Sequence, residues 1–160
     1  MEISMNEDNE FLKGMPKTDS MEDLQDKMEE LFKMDSLNLD KEALRQDRVF
    51  FDVQRYYIQE GRVLRFLLQK FETVKLYRRK YYLRQLPSAV YEKEPLNPFP
   101  LKTEVDQYLK ADHLVWEMRN LTEEQEAKVK YLEDSLSRAR SRSFDIKNAI
   151  QWRCMLEGRV

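Results

Sequence analysis

Two long seven-residue patterns, separated by a run of prolines, decide what this chain can fold into. In the first, Phe50, Val53, Tyr57, Leu64, Leu67, Phe71, Val74 and Tyr81 fall on one heptad series, and Glu60 and Arg78 fill its two remaining positions. No proline interrupts residues 40–84. The pattern predicts one helix there, roughly 65 Å long at ~1.5 Å per residue. Gly61 is its one weak point. In the second, Val115, Met118, Val129, Leu132, Leu136, Ala139, Ile146 and Ile150 share a heptad series, with Thr122, Gln125 and Ser143 in its gaps. Beyond Ile150 the stripe shifts by one residue, to Ala149, Trp152 and Leu156. This pattern predicts helix from about residue 113 to 157. Between the two stand Pro87, Pro95, Pro98 and Pro100, so residues 85–100 read as an extended linker.

Shorter elements flank these. Ser20 offers an N-cap with Glu22 and Asp23 in the first turn, and Met21, Leu24, Met28 and Leu31 follow at helical spacing. A short amphipathic helix ending near Met34 is expected, then a turn over 35–40. Thr103 and Glu104 can start another short helix running to about Lys110, and Asp112 can cap the last long one. Residues 1–19 are acidic and aperiodic and contain Gly14 and Pro16, which predicts a disordered arm. The chain therefore divides into an arm (1–19), an N-terminal helical region (20–84), a linker (85–100) and a C-terminal helical region (101–160).

The fold class expected is all-α. Charged residues make up 36% of the chain and mean hydropathy is -0.79, too polar for one thick core but suited to narrow stripes between helices. Heptads sustained this long favour left-handed supercoiling. Leu121, Phe144 and Met155 widen the second stripe, and wide stripes favour more than two helices. A hairpin of the two long helices would still leave apolar side chains exposed. Self-association is expected, through Val129, Leu132, Leu136, Ala139, Ile146, Ile150 and Leu156.

Chemistry has little material here. Gly14, Gly61 and Gly158 are the only glycines, which nearly excludes glycine-rich phosphate loops. His113 is the only histidine and reads as an exposed residue at a helix start. Cys154, the only cysteine, has no nearby base to activate it and reads as a small core residue. Glu123, Glu124 and Glu126 look like a solvated helix face. No catalytic residue, metal site or cofactor is expected, and the chain is read as a non-enzyme. A lone cysteine fits a reducing cytoplasm. The start of the chain lacks a signal peptide's apolar run, and no stretch approaches the ~18 apolar residues of a membrane span.

Charge is unevenly spread. Residues 1–40 carry a net -8, residues 41–84 a net +7 and residues 85–160 a net -1. The basic middle culminates in Lys75, Tyr77, Arg78, Arg79, Lys80, Tyr81, Tyr82 and Arg84. Cations meet phosphates without reading sequence, and tyrosine rings can stack on any base, so the mixture suits single strands. The competing reading is a set of core tyrosines with cations that balance acidic neighbours. Tyr81 lies on the core series, which leaves Tyr77 and Tyr82 to face a ligand. A second basic set, Arg138, Arg140, Arg142 and Lys147, suits subunit salt bridges at least as well as DNA.

The run Ser141–Arg142–Ser143–Phe144–Asp145–Ile146–Lys147–Asn148–Ala149–Ile150–Gln151–Trp152 resembles the end of phage UvsY proteins, where an Arg-x-Phe-x-Ile-Lys core precedes a tail ending near a glycine, here Gly158. Leu109–Lys110–Ala111–Asp112 resembles the family's acidic turn before its last long helix. Tyr81–Tyr82 after a basic helix, the run Ala89–Val90–Tyr91–Glu92–Lys93–Glu94–Pro95, and Met21–Glu22–Asp23–Leu24–Gln25 are also similar to the family. The likeness covers roughly residues 20–158. It implies a recombination mediator: a ring-like coiled-coil homo-oligomer, a hexamer or heptamer, that binds single-stranded DNA. Such a protein loads a UvsX-type recombinase onto strands coated by phage single-strand-binding protein, in the host cytoplasm and away from any membrane. The resemblance carries a DNA-contacting basic pair onto Arg78 and, by substitution, Lys75. Arg84 stands where family members often have a glycine. The rival from the residues alone is a structural or virion-assembly coiled coil that binds no DNA.

Overall fold

The computed structural model describes residues 10–158, and every regular element among them is helical. A single 3-10 turn at Glu10–Leu12 precedes α1 (Met21–Phe32), α2 (Leu39–Tyr82), α3 (Ser88–Lys93), α4 (Val105–Ala111) and α5 (His113–Leu156). Two compact units divide the chain. Of the described residues, one holds Lys17–Arg62 and 126–158; the other holds Val63–Gln125 and 10–16. Each unit thus draws on one half of both long helices. The successive regions expected from sequence do not match this division, because the two heptad stripes bury their faces against each other rather than one after the other.

In the first unit, α1 begins at a capping box. The Asp23 amide donates to Ser20 Oγ at 3.0 Å and the Ser20 amide to Asp23 Oδ2 at 3.4 Å. Leu24 and Met28, one turn apart, are buried with Val53, Leu132 and Leu136. Leu31, Phe32, Phe50, Tyr56, Tyr57 and Tyr131 close around them. Polar side chains set the register. The buried Arg142 guanidinium donates to the Glu42 carboxylate and, at 3.1 Å, to Gln46 Oε1. Gln46 donates in turn to the Ala139 carbonyl, and Arg153 to the carbonyls of Ser36 and Leu37. As the α2 number rises the α5 number falls, so the two helices run antiparallel within this unit.

Within the protomer, most of the residues of the expected self-association seam have partners in the same chain. Leu132, Leu136, Ala139 and Ile146 are buried inside the protomer and Val129 is half-buried, while Ile150 and Leu156 are exposed. A heptad stripe does not specify whether its partner helix belongs to the same chain. Here α1 and the first half of α2 supply that partner. Arg142 takes the inward position one residue before Ser143, which is exposed.

The expected arm, residues 1–19, is described only in part. Residues 1–9 lie outside the described residues. Thr18 Oγ1 donates to Glu60 Oε2 at 2.6 Å, and the Asp19 amide donates to Glu60 Oε1 at 3.4 Å. Glu60 is fully buried on the heptad seam, and a buried carboxylate must find donors. That need orders residues 17–19. Lys27 pairs with Asp19 at 2.7 Å, and this bond raises the Lys27 pKa.

In the second unit, Val63, Leu67, Val74 and Tyr81 pack with Val105, Leu109, Val115 and Met118. Phe11, Leu12 and Met15 add apolar surface from the N-terminal segment. The linker contains a short helix, α3, rather than an extended strand throughout. Pro87 (φ -59°) immediately precedes it and Pro95 follows. The seven residues between these prolines include no other proline, which leaves room for α3. Val90 and Tyr91 on α3 pack onto the unit's core.

Leu132→Ala should lower the unfolding free energy by about 2–5 kcal/mol, as a core truncation does. Denaturant titration should return the same loss at low and high protein concentration. A loss that appears only on dilution would return Leu132 to a seam between copies.

Candidate nucleic-acid interface

The last turns of α2 present Lys75, Arg79 and Lys80 to solvent. Lys75 lies 3.8 Å from Glu72 and over the Phe71 ring, and Arg79 lies 3.4 Å from Asp106. Both are exposed pairs, which hold their cations only weakly. Lys80 has no ion pair among the described residues. The helix then ends in a Schellman turn. The Gln85 amide donates to the Lys80 carbonyl at 2.9 Å and the Arg84 amide to the Tyr81 carbonyl at 3.1 Å. Such a turn needs one left-handed residue, and it is Arg84, at φ 59°. The exposed Arg84 guanidinium lies over the Phe99 ring.

Two members of the sequence-predicted cluster point inward instead. Arg78 is 6% exposed. Its Nε donates to Asp112 Oδ2 at 2.6 Å, and its Nη1 and Nη2 donate to the Glu94 carboxylate at 3.0 and 2.9 Å. Its guanidinium also lies over the rings of Tyr81 and Tyr82. Burial opposes the charge, but the bonds to Glu94, Tyr82 and Asp112 outweigh it, and the Arg78 pKa is raised. Tyr82 is buried too, and its hydroxyl donates to Asp112 Oδ2 at 2.7 Å. Burial first, and then this bond, push the Tyr82 pKa up to about 12. Neither side chain is placed to meet a phosphate or stack on a base. Two carboxylates that lie 16 and 34 residues away in sequence hold Arg78, a pairing that local spacing does not reveal. Tyr77 is half-buried, with its ring 5.8 Å from that of Phe11.

Residues of the expected linker join this surface. Tyr91 stacks on Tyr81 at 5.4 Å between centroids and meets Phe99 at 6.0 Å. The Tyr91 hydroxyl donates to the Tyr81 carbonyl at 3.0 Å and accepts the Leu86 amide at 3.3 Å. Tyr91, Phe99, Leu86, Leu96 and Arg84 line an open depression of about 560 Å³. Its lip carries both the Arg84 guanidinium and the Glu92 carboxylate, and its rings offer stacking surface to a planar group. The only sequence signal for it was the family-like run through Tyr91.

The second basic set disperses. Arg142 is committed to Glu42, Arg138 lies over Phe32, Arg140 over Phe50, and Lys147 is exposed. His113 is exposed and stands 3.6 Å from Glu117, and Cys154 is a half-buried free thiol. Among the described residues, no three His, Cys, Asp or Glu side chains converge as metal ligands, and no helix is long and apolar enough to cross a membrane.

A family model described as "Recombination, repair and ssDNA binding protein UvsY" matches residues 4–159. No curated protein and no solved structure matches the chain significantly.

Tyr82 yields a pH prediction. Its folded pKa of about 12 lies above the ordinary 10.0, so the fold favours the neutral phenol. That contribution is full below about pH 10 and is lost as pH rises toward 12. Tyr82→Phe should be less stable than the parent at neutral pH and should lose less stability across that alkaline window. Parallel declines in denaturant midpoint would show that the hydroxyl does not titrate with folding.

Proposed function

Because the chain belongs to the UvsY family of recombination, repair and single-stranded-DNA-binding proteins, we propose that it is a recombination mediator. In this reading it binds single strands in the host cytoplasm and loads a UvsX-type, RecA-like recombinase onto strands coated by phage single-strand-binding protein. No chemical step is required; binding free energy does the work. The observation that supports this most is the exposed group Lys75, Arg79, Lys80 and Arg84, of which Arg84 lines the Tyr91–Phe99 hollow. The cations meet phosphates of any sequence and the hollow takes a base. Lys75→Gln with Arg79→Gln and Lys80→Gln should weaken binding to every strand sequence alike. The slope of log affinity against log salt should fall by about 0.7 per lost phosphate contact. The triple variant should also fail to help a recombinase displace the single-strand-binding protein. Unchanged affinity and unchanged loading would exclude this surface.

Self-association moves to the outer faces in this proposal. On α2, Leu37, just before the helix, and Leu44 lie seven residues apart and are 81% and 86% exposed. On α5, Phe144, Trp152 and Met155 face away from the buried stripe and are 68%, 63% and 64% exposed. The bonds from Arg142 to Glu42 and from Arg153 to Ser36 set these two apolar patches at one level. A ring repeats its subunits at one level, so one copy's α5 patch meets the next copy's α2 patch. This is a head-to-tail contact that closes by rotation. Each patch carries both charge signs at its margin, Asp40 and Lys41 on α2, Asp145 and Lys147 on α5. Many copies then act on one strand at high effective concentration.

A mixing experiment tests this. Leu44→Asp removes one face, and Phe144→Asp with Trp152→Asp removes the other. Each variant alone should scatter light as a monomer. Mixed, they keep one good face each and should form dimers and nothing larger. Oligomers in either variant alone, or no dimers on mixing, would exclude these faces.

A further inference from the structure

The exposed side of α2 carries a second ordered row that the proposed interface does not use. Arg48, Arg55 and Arg62 are seven residues apart, so they project from one side of the helix at intervals of roughly 10 Å. All three are exposed, with the Arg48 and Arg55 side chains 84% and 79% open. One carboxylate, Asp52, serves both of these, at 3.9 and 3.4 Å, and cannot neutralise two guanidiniums. Arg62 has no ion pair among the described residues. Immediately beside the row lie Phe51 and Ile58, 58% and 47% exposed, on the side of α2 opposite the buried Val53 and Glu60. Phe51 rests edge-on against Phe50, at 5.8 Å and 69°.

We propose that this arginine row and Phe51 form a second contact for single-stranded nucleic acid, in which the guanidiniums hold successive stretches of backbone and the Phe51 ring stacks a base. The assignment rests on the single-strand binding described above. Three features favour a strand over a protein helix. The row is all arginine, whose planar fork matches phosphate oxygens in pairs. Its charge is largely unanswered within the unit. Under the head-to-tail contact proposed above, the α5 patch is set against Leu37 and Leu44, which leaves Phe51 and Ile58 for another ligand. Arg78, the cation that family likeness first suggested for phosphate, is also buried, so backbone contacts must come from exposed cations such as these.

Fluorescent oligo-dT is titrated over a range of salt with the parent, with Arg48→Gln/Arg55→Gln/Arg62→Gln, and with Phe51→Ala, and each protein is sized by light scattering. The triple variant should lower the magnitude of the log-log salt slope by roughly 2, from three lost contacts at about 0.7 each. Phe51→Ala should lower affinity about tenfold. Both should keep the parent's oligomeric mass. An unchanged slope in the triple variant overturns the proposal while leaving the α2-terminal surface intact. Weakened binding together with a smaller mass overturns it too, because the row would then join copies of the chain. A parent that fails to bind oligo-dT overturns both this contact and the single-strand reading beneath it.

Discussion

Each compact unit buries an arginine, and each arginine is met by carboxylate: Arg142 by Glu42 in one, Arg78 by Asp112 and Glu94 in the other. A charge taken out of water without a partner costs several kcal/mol, whereas a paired one costs far less. Heptad stripes alone tolerate sliding, since each turn of apolar side chains can pack against the next. Sliding here would strand a guanidinium. The ion pairs therefore choose one register from several that the apolar residues permit, and everything attached to the helices takes its place from that choice. Asp112 shows how far one group reaches. It accepts from Arg78 and from Tyr82, and its Oδ1 also accepts the Val115 amide at 3.1 Å at the start of α5.

The same pairing sorts the cations of α2 by role. Arg78 faces the seam and is consumed by structure. Lys75, Arg79 and Lys80 point elsewhere on the helix and stay in water. A helix that is basic overall can thus hold its own fold together with one set of charges and present another. Glu94 supplies a further link. It holds Arg78 through its carboxylate, and its backbone carbonyl accepts the Tyr81 hydroxyl at 2.9 Å. The segment that carries Tyr91 is fixed to α2 by these bonds, so its aromatic hollow is built on a tethered platform.

Much of the fold was legible because it follows from local rules. The heptad run expected over 40–84 is observed as Leu39–Tyr82, and that expected over 113–157 as His113–Leu156. Ser20 caps α1 as its position before the apolar series implies. What a periodic stripe cannot state is its partner. Leu132 and Ile146 read equally well as a seam between copies and as a core within one. Charge patterning has the same blind spot. Arg78 and Arg79 are adjacent and chemically identical, yet one is buried and the other 52% open, because only one faces Asp112. No period marks the N-terminal segment that carries Phe11, Met15 and Thr18. They are ordered by a buried carboxylate and an apolar surface distant in sequence.

Arg84 holds a backbone conformation that glycine adopts freely and a long side chain does not, at a cost of roughly 1–2 kcal/mol. Glycine at this position would hold the same turn without that strain. A chain under selection for stability alone would take it. Retaining arginine over the Phe99 ring keeps a cation at the mouth of the hollow. The end of α2 is thus a site where mutational drift toward robustness and the demands of a binding surface pull in opposite directions. Variants selected for thermal resistance would be expected to give up this cation early.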